Sequence, residues 1–97
     1  MKRLGYSPEA LADLRDIALY IAEENPDRAL SFVAELERKA AQAALRPTGF
    51  RERSDLAPGL WAMVHDRYLI FFRELDDEVR IVRVMHGARN LPGLFEP

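Results

Sequence analysis

Tyr68-Leu69-Ile70-Phe71-Phe72-Arg73-Glu74-Leu75-Asp76-Asp77-Glu78-Val79-Arg80-Ile81-Val82-Arg83-Val84-Met85-His86 is the stretch that decides the fold. Its first eight residues are dominated by aromatic and branched side chains, a strand signal. Asp76-Asp77 then reads as a tight turn, less ideal than Asn-Gly. Glu78 to His86 reads as the returning strand. Its odd positions are Val79, Ile81, Arg83 and Met85, and its even positions are Arg80, Val82, Val84 and His86. Both sets mix apolar and charged residues, so both faces of this strand are expected to be partly covered. Upstream, Leu60-Trp61-Ala62-Met63-Val64 reads as a shorter strand, joined through a turn at His65-Asp66-Arg67. Three consecutive strands predict an antiparallel meander.

Further upstream the period changes from strand to helix. Ser7 can cap free backbone N–H groups, and Pro8 suits a first helical position because it has no N–H to leave unpaired. Leu11, Leu14, Ala18 and Ile21 follow at helical spacing, with Ile17 beside them, and the helix is expected to end near Glu24. Asn25-Pro26-Asp27 breaks it: Pro26 disfavours helical geometry at Asn25 and can itself start the next helix. There, Ala29, Phe32, Val33, Leu36, Ala40 and Ala43 form one stripe, while Glu35, Arg38, Lys39 and Gln42 are expected to face away. So short a link folds the helices into a hairpin. Residues 46–59 read as a loop. Lys2 to Tyr6 reads as a short strand that should join the sheet, because a lone strand is not stable. The expected fold is α+β: a small antiparallel sheet, ordered β-α-α-β-β-β along the chain, with an N-terminal helical hairpin packed on one face. The tail is expected to be pinned through Leu91, Leu94 and Phe95.

Length and composition agree. The 97 residues, 48% of them hydrophobic, suit a single domain spanning 1–97 with one core. The chain has no cysteine, which excludes disulfides and thiolate metal sites. No apolar run approaches the roughly 20 residues a bilayer demands. No apolar segment follows the early Lys2 and Arg3, so a secretory signal is not expected and a cytoplasmic location is. Fourteen cations against sixteen anions give a net charge of −2, which argues against broad nucleic-acid binding. All but Lys2 and Lys39 of the cations are arginine, the side chain suited to bidentate contacts with carboxylate or phosphate.

Few catalytic patterns are present. There is no Gly-rich phosphate loop, and His65 and His86 lack metal-ligand spacing, so neither cofactor nor metal is expected. One constellation stands out: Arg83, His86 and Arg89, with Gly87 permitting a bend after His86. Arginines here could neutralise a phosphate while His86 moves a proton. The plainer alternative is that His86 bonds the backbone at the bend and Arg83 pairs with a helix carboxylate. In a regular strand Arg83 and His86 lie on opposite faces, and Tyr68 and His65 are the remaining candidate partners. A second expectation concerns binding. Leu19, Tyr20 and Phe32, with Ala18 and Ala29, supply more apolar surface than one sheet face needs, enough to seat an amphipathic helix. Arg73, Arg80, Arg83 and Arg89 could then grip carboxylates of the partner.

These pieces resemble the RelE/ParE superfamily of toxins from bacterial type II toxin–antitoxin modules, on the ParE side. The resemblance rests on Ser7-Pro8-Glu9-Ala10 with Asp13-Leu14 and Ile17, and on Tyr20-Ile21-Ala22 with Asn25-Pro26. It continues through Pro47 and Gly49, Leu56 with Pro58-Gly59-Leu60, Tyr68 to Phe72, and Arg83-Val84-Met85-His86-Gly87-Ala88-Arg89. It implies a toxin neutralised by a ParD-like antitoxin in a hetero-oligomer, with DNA gyrase as target, and a role in plasmid stabilization. The antitoxin-binding candidates are then Leu19, Tyr20, Phe32, Arg73, Arg80, Arg83 and Arg89. The RelE side of the superfamily implies instead a ribosome-dependent mRNA endonuclease, for which His86, Arg83 and Arg89 are the catalytic candidates. Those enzymes use several basic groups and a late Tyr or His. This chain has no Tyr after Tyr68 and no Lys after Lys39, which favours the non-enzymatic ParE reading.

Overall fold

The computed structural model describes residues 2–87, so Arg89 and the tail residues Leu91, Leu94 and Phe95 lie outside the described residues. Strand β1 spans Arg3–Tyr6, helix α1 Pro8–Ala22 and helix α2 Pro26–Leu45. A 3-10 turn, Pro47–Gly49, leads to a two-residue strand β2, Arg51–Glu52. Strands β3 (Trp61–His65), β4 (Tyr68–Glu74) and β5 (Glu78–His86) complete the chain. Both helices begin as their sequences dictate. The Ser7 hydroxyl accepts the Ala10 amide at 3.0 Å, and Asn25 Oδ1 accepts the Arg28 amide at 3.0 Å, each beside a proline that needs no partner. Helix α1 stops two residues before the expected Glu24, within the usual uncertainty of a helix end.

The five strands form one sheet in the order β1-β5-β4-β3-β2. The expectation of an all-antiparallel sheet needs correction, because β1 pairs with β5 in parallel, Arg3 opposite Glu78 through Tyr6 opposite Ile81. The sheet is therefore mixed, and part of the expected 46–59 loop is strand β2, antiparallel to β3. The parallel pairing follows from how α1 leaves β1. Beyond Tyr6 the chain keeps its heading along the outer edge of β5, now as a helix. The Ser7 amide donates to Ile81 O at 2.8 Å, and the Ser7 hydroxyl donates to Val82 O at 2.8 Å. Asp13 takes the Val84 amide at 2.9 Å. Helix α1 thus occupies the edge that β1 vacates, and the exposed N–H and C=O groups of β5 find partners there.

Strand β5 is not regular. Phe71 lies opposite Arg83 but Phe72 lies opposite Ile81, so Val82 is one residue too many for its partner strand. This bulge shifts the phase of the alternation. Val79, Ile81 and Val84 all enter the core beneath the helices, while Val82 and Met85 enter a smaller core on the other face. The mixed odd and even sets seen in the sequence are this phase shift, and both faces are covered. The larger core seats Phe32, Leu36, Ala40 and Ala43 of α2 on Met63, Ile70 and Phe72 of the sheet. The smaller packs Ala57 and Leu60 against Ala62, Phe71 and Met85. Burying each such Leu or Phe contributes about 1.5–3 kcal/mol, which holds the 53–60 segment to the sheet.

Candidate functional site

One end of the molecule collects the chemistry. The C-terminal turn of α1, the N-terminal turns of α2, the β3–β4 turn and the end of β5 meet there. They enclose a cleft of about 650 Å³ lined by Tyr20, Arg28, Phe32, Arg67, Tyr68 and His86, with Ile21 and Asp66 at its margin. The β3–β4 turn is tight: Asp66 sits at a φ of 56°, a left-handed geometry that Asp tolerates better than most residues. Arg67 O accepts the Gly87 amide at 2.9 Å, which fixes the end of β5 beside this turn. Register places Tyr68 directly opposite both His65 and His86.

Aromatic rings run across the cleft floor. The His65 and Phe32 rings lie 5.5 Å apart, Phe32 and Tyr68 5.5 Å, and Tyr68 and His86 5.4 Å with their planes at 81°. Burial, with lesser contributions from Tyr20 and Asp66, raises the Tyr68 phenol above its ordinary pKa, so it stays protonated across the physiological range. The Arg28 guanidinium lies 5.0 Å over the Phe32 ring and donates to Glu35 Oε2 at 2.5 Å. Glu35 Oε1 meets His65 Nε2 at 2.9 Å. The bonds from Arg28 first, and then from His65, hold the Glu35 carboxyl at about 2. Glu35 was expected to face away from the fold; instead it ties α2 to the end of β3.

Arg83 is placed differently from a regular-strand expectation. The bulge at Val82 lets it reach α1, where Asp13 receives it in a bidentate pair. Oδ2 accepts Arg83 Nε at 2.8 Å and Oδ1 accepts Nη2 at 3.0 Å. The Asp13 bond raises the Arg83 pKa further, so the charge is permanent and already matched. The helix-carboxylate alternative raised from the sequence therefore describes Arg83. Arg83 and His86 do not converge on a shared point, and the third member, Arg89, lies outside the described residues.

The binding candidates are scattered. Leu19 and Tyr20 are exposed, at 61% and 72%. Phe32 and Ala29 do not form an exposed surface: both are 4% exposed, because the hairpin turns that stripe onto the sheet, and Phe32 reaches the cleft only at its floor. Arg73 and Arg80 face each other across β4 and β5, on the sheet face away from the helices. Arg80 Nε donates to Glu78 Oε2 at 2.8 Å, and Arg73 donates to Pro58 O. With Arg83 and Glu9 they border a second groove of about 790 Å³. Sequence reasoning missed Arg28, Glu35, Asp66 and Arg67; Arg28, Asp66 and Arg67 share only a position at a helix start or a turn, and Glu35, in mid-helix, carries no such signal. Among the described residues no group of His, Cys, Asp or Glu could hold a metal ion, and no helix is long and apolar enough to cross a membrane.

Comparison with known proteins adds the family. The family model described as the ParE toxin of type II toxin-antitoxin system, parDE, matches residues 4–91. The chain belongs to the ParE toxin family. This ParE-family chain superposes on a solved chain of the chromosomal ParDE toxin–antitoxin system from P. aeruginosa with a TM-score of 0.77. The match has 22% identity and covers 89% of this chain and 96% of that one. It also matches a chain of the toxin–antitoxin complex RelBE2 from Mycobacterium tuberculosis. There the TM-score is 0.64 and the identity 22%, with 88% and 96% of the two chains covered. Both likenesses are of fold. No curated protein sequence matches the chain. The chain is thus a type II toxin of the ParE/RelE superfamily with the mixed sheet and helical hairpin of that fold.

Proposed function

We propose that this single domain is a cytoplasmic toxin that binds and stalls DNA gyrase, with no nuclease step, and that a ParD-like antitoxin neutralises it by forming a hetero-oligomer. The observation that carries the non-enzymatic reading is the Asp13–Arg83 pair. Phosphodiester cleavage needs cations aimed at the developing charge. The arginine nearest His86 on β5 is already held bidentate by Asp13, and Arg28 is held by Glu35. His86 and Tyr68 remain as proton carriers, but the cation that β5 would bring to a phosphate is committed elsewhere. ParE-family membership and the likeness to a ParDE chain support the gyrase and antitoxin parts of this reading. The RelBE likeness keeps one alternative, ribosome-dependent mRNA cleavage using His86.

Induced expression in a bacterial host tests the proposal. The expected outcome is DNA damage that depends on gyrase and disappears when the antitoxin is co-expressed. Position-specific cleavage of ribosome-bound mRNA, abolished by His86→Ala, would replace this reading with the nuclease one.

A further inference from the structure

The charges on α1 and its link to α2 reverse the polarity expected of the partner. Residues 7–27 carry Glu9, Asp13, Asp16, Glu23, Glu24 and Asp27 against one cation, Arg15. Only Asp13 is consumed by a bidentate pair within the fold. Of the four arginines expected to grip an acidic partner, the three described ones are meanwhile engaged: Arg73 with Pro58 O, Arg80 with Glu78, Arg83 with Asp13. The surface left open around α1 is acidic and aromatic.

Its focus is Tyr20, which is 72% exposed and lines three clefts, two of them at the end of β5. Both clefts also share Tyr68 and His86. On one side stands exposed Asp16, on the other exposed Asp66. Tyrosine faces flanked by carboxylates favour a guanidinium or ammonium group. The cleft already demonstrates this preference, since Arg28 lies over Phe32 with Glu35 closing its far side. Arg67 stands on the rim beside Asp66 and does not reverse the balance set by the acids of α1.

We propose that the clefts around Tyr20 receive a Lys or Arg side chain from the antitoxin, whose neighbouring apolar side chains rest on exposed Leu19. This rests on the antitoxin reading above and fixes the chemistry of the contact: the partner brings the cation and this chain supplies the aromatic faces and carboxylates.

Two measurements on the full chain test it. In the first, N-acetyl-arginine amide and N-acetyl-glutamate amide are titrated while the ring resonances of Tyr20, Tyr68 and His86 are followed by NMR. Saturable shifts in the millimolar range are expected with the arginine compound alone, and Tyr20→Ala should abolish them. Equal responses to both compounds, or none to the arginine compound, would overturn the inference. In the second, antitoxin affinity is compared among the parent, Tyr20→Ala and Asp16→Lys. Both sites are exposed, so folding should be kept. Tyr20→Ala is expected to bind about tenfold more weakly, and Asp16→Lys to lose affinity most at low salt. Antitoxin that binds parent and variants equally overturns this inference alone. Antitoxin that fails to bind the parent overturns the toxin–antitoxin pairing and this occupant with it.

Discussion

Asp13 holds the part of the β5 edge that lies beyond β1 and Ser7. Its two oxygens take the Arg83 guanidinium and the Val84 amide together, so Asp13→Ala leaves a part-buried cation and a backbone N–H without partners. Unfolding in urea should show a loss of about 2–4 kcal/mol, and Asp13→Asn a smaller one because it keeps an acceptor for Val84. A loss within the scatter of surface substitutions would mean that solvent already screens the pair. Glu35 gives a pH signature. Its carboxyl is held at about 2, below an ordinary value of 4.5, so its contribution to stability is full above that ordinary value and is lost as pH falls through about 2. The stability gap between the parent and Glu35→Gln should therefore close on acidification across that window; a gap independent of pH would contradict the assigned bonds. At this scale the sequence was half legible. That a helix carboxylate holds Arg83 was among its readings, but Asp13 was not singled out, because the bulge that aims Arg83 at α1 is set by pairing with β4. Glu35 read as solvent-facing because its partner His65 is 30 residues away.

The elements themselves were easier to read, and their ends carry the next expectation. Ser7 and Asn25 both cap helices, but only the Ser7 hydroxyl also donates to Val82 O. Asn25→Ala should cost about 1 kcal/mol, the usual worth of a cap, and Ser7→Ala distinctly more because it also strips a partner from the β5 edge. Thermal melts of the two variants check the order; equal losses would show the Val82 contact to be worth little. Both caps were legible because Ser-Pro and Asn-Pro act locally. The strand positions of β3 to β5 were legible for the same reason. The parallel place of β1 and the existence of β2 were not, since each is fixed by hydrogen bonds to a distant strand and neither carries enough residues to show a period. The Val82 bulge left a trace in the mixed faces of β5, but a phase shift and a strand covered on both sides look alike in sequence.

At the scale of the whole molecule, the fold gathers Tyr20, Tyr68 and His86 at one end and settles six of its eleven described arginines, Arg3, Arg28, Arg53, Arg73, Arg80 and Arg83, against its own carboxylates or carbonyls. His65, Tyr68 and His86 were named from the sequence, yet only the β3–β4–β5 register and the Phe32 ring bring them together, with Tyr68 and His86 lining the cleft and His65 packed on Phe32 beside it. The binding candidates were the least legible part: Leu19 and Tyr20 are open, but Phe32 is buried and Arg73, Arg80 and Arg83 are engaged within the fold. A toxin of the kind proposed above should act by occupying a protein surface, not by cleaving a phosphodiester. The most direct measurement is gyrase supercoiling of relaxed plasmid, titrated with the purified parent and with His86→Ala, beside a ribosome-programmed mRNA cleavage assay run on the same preparations. The expected result is concentration-dependent loss of supercoiling by the parent, with no mRNA cleavage by either protein. Undiminished supercoiling together with mRNA cleavage that His86→Ala abolishes would contradict it.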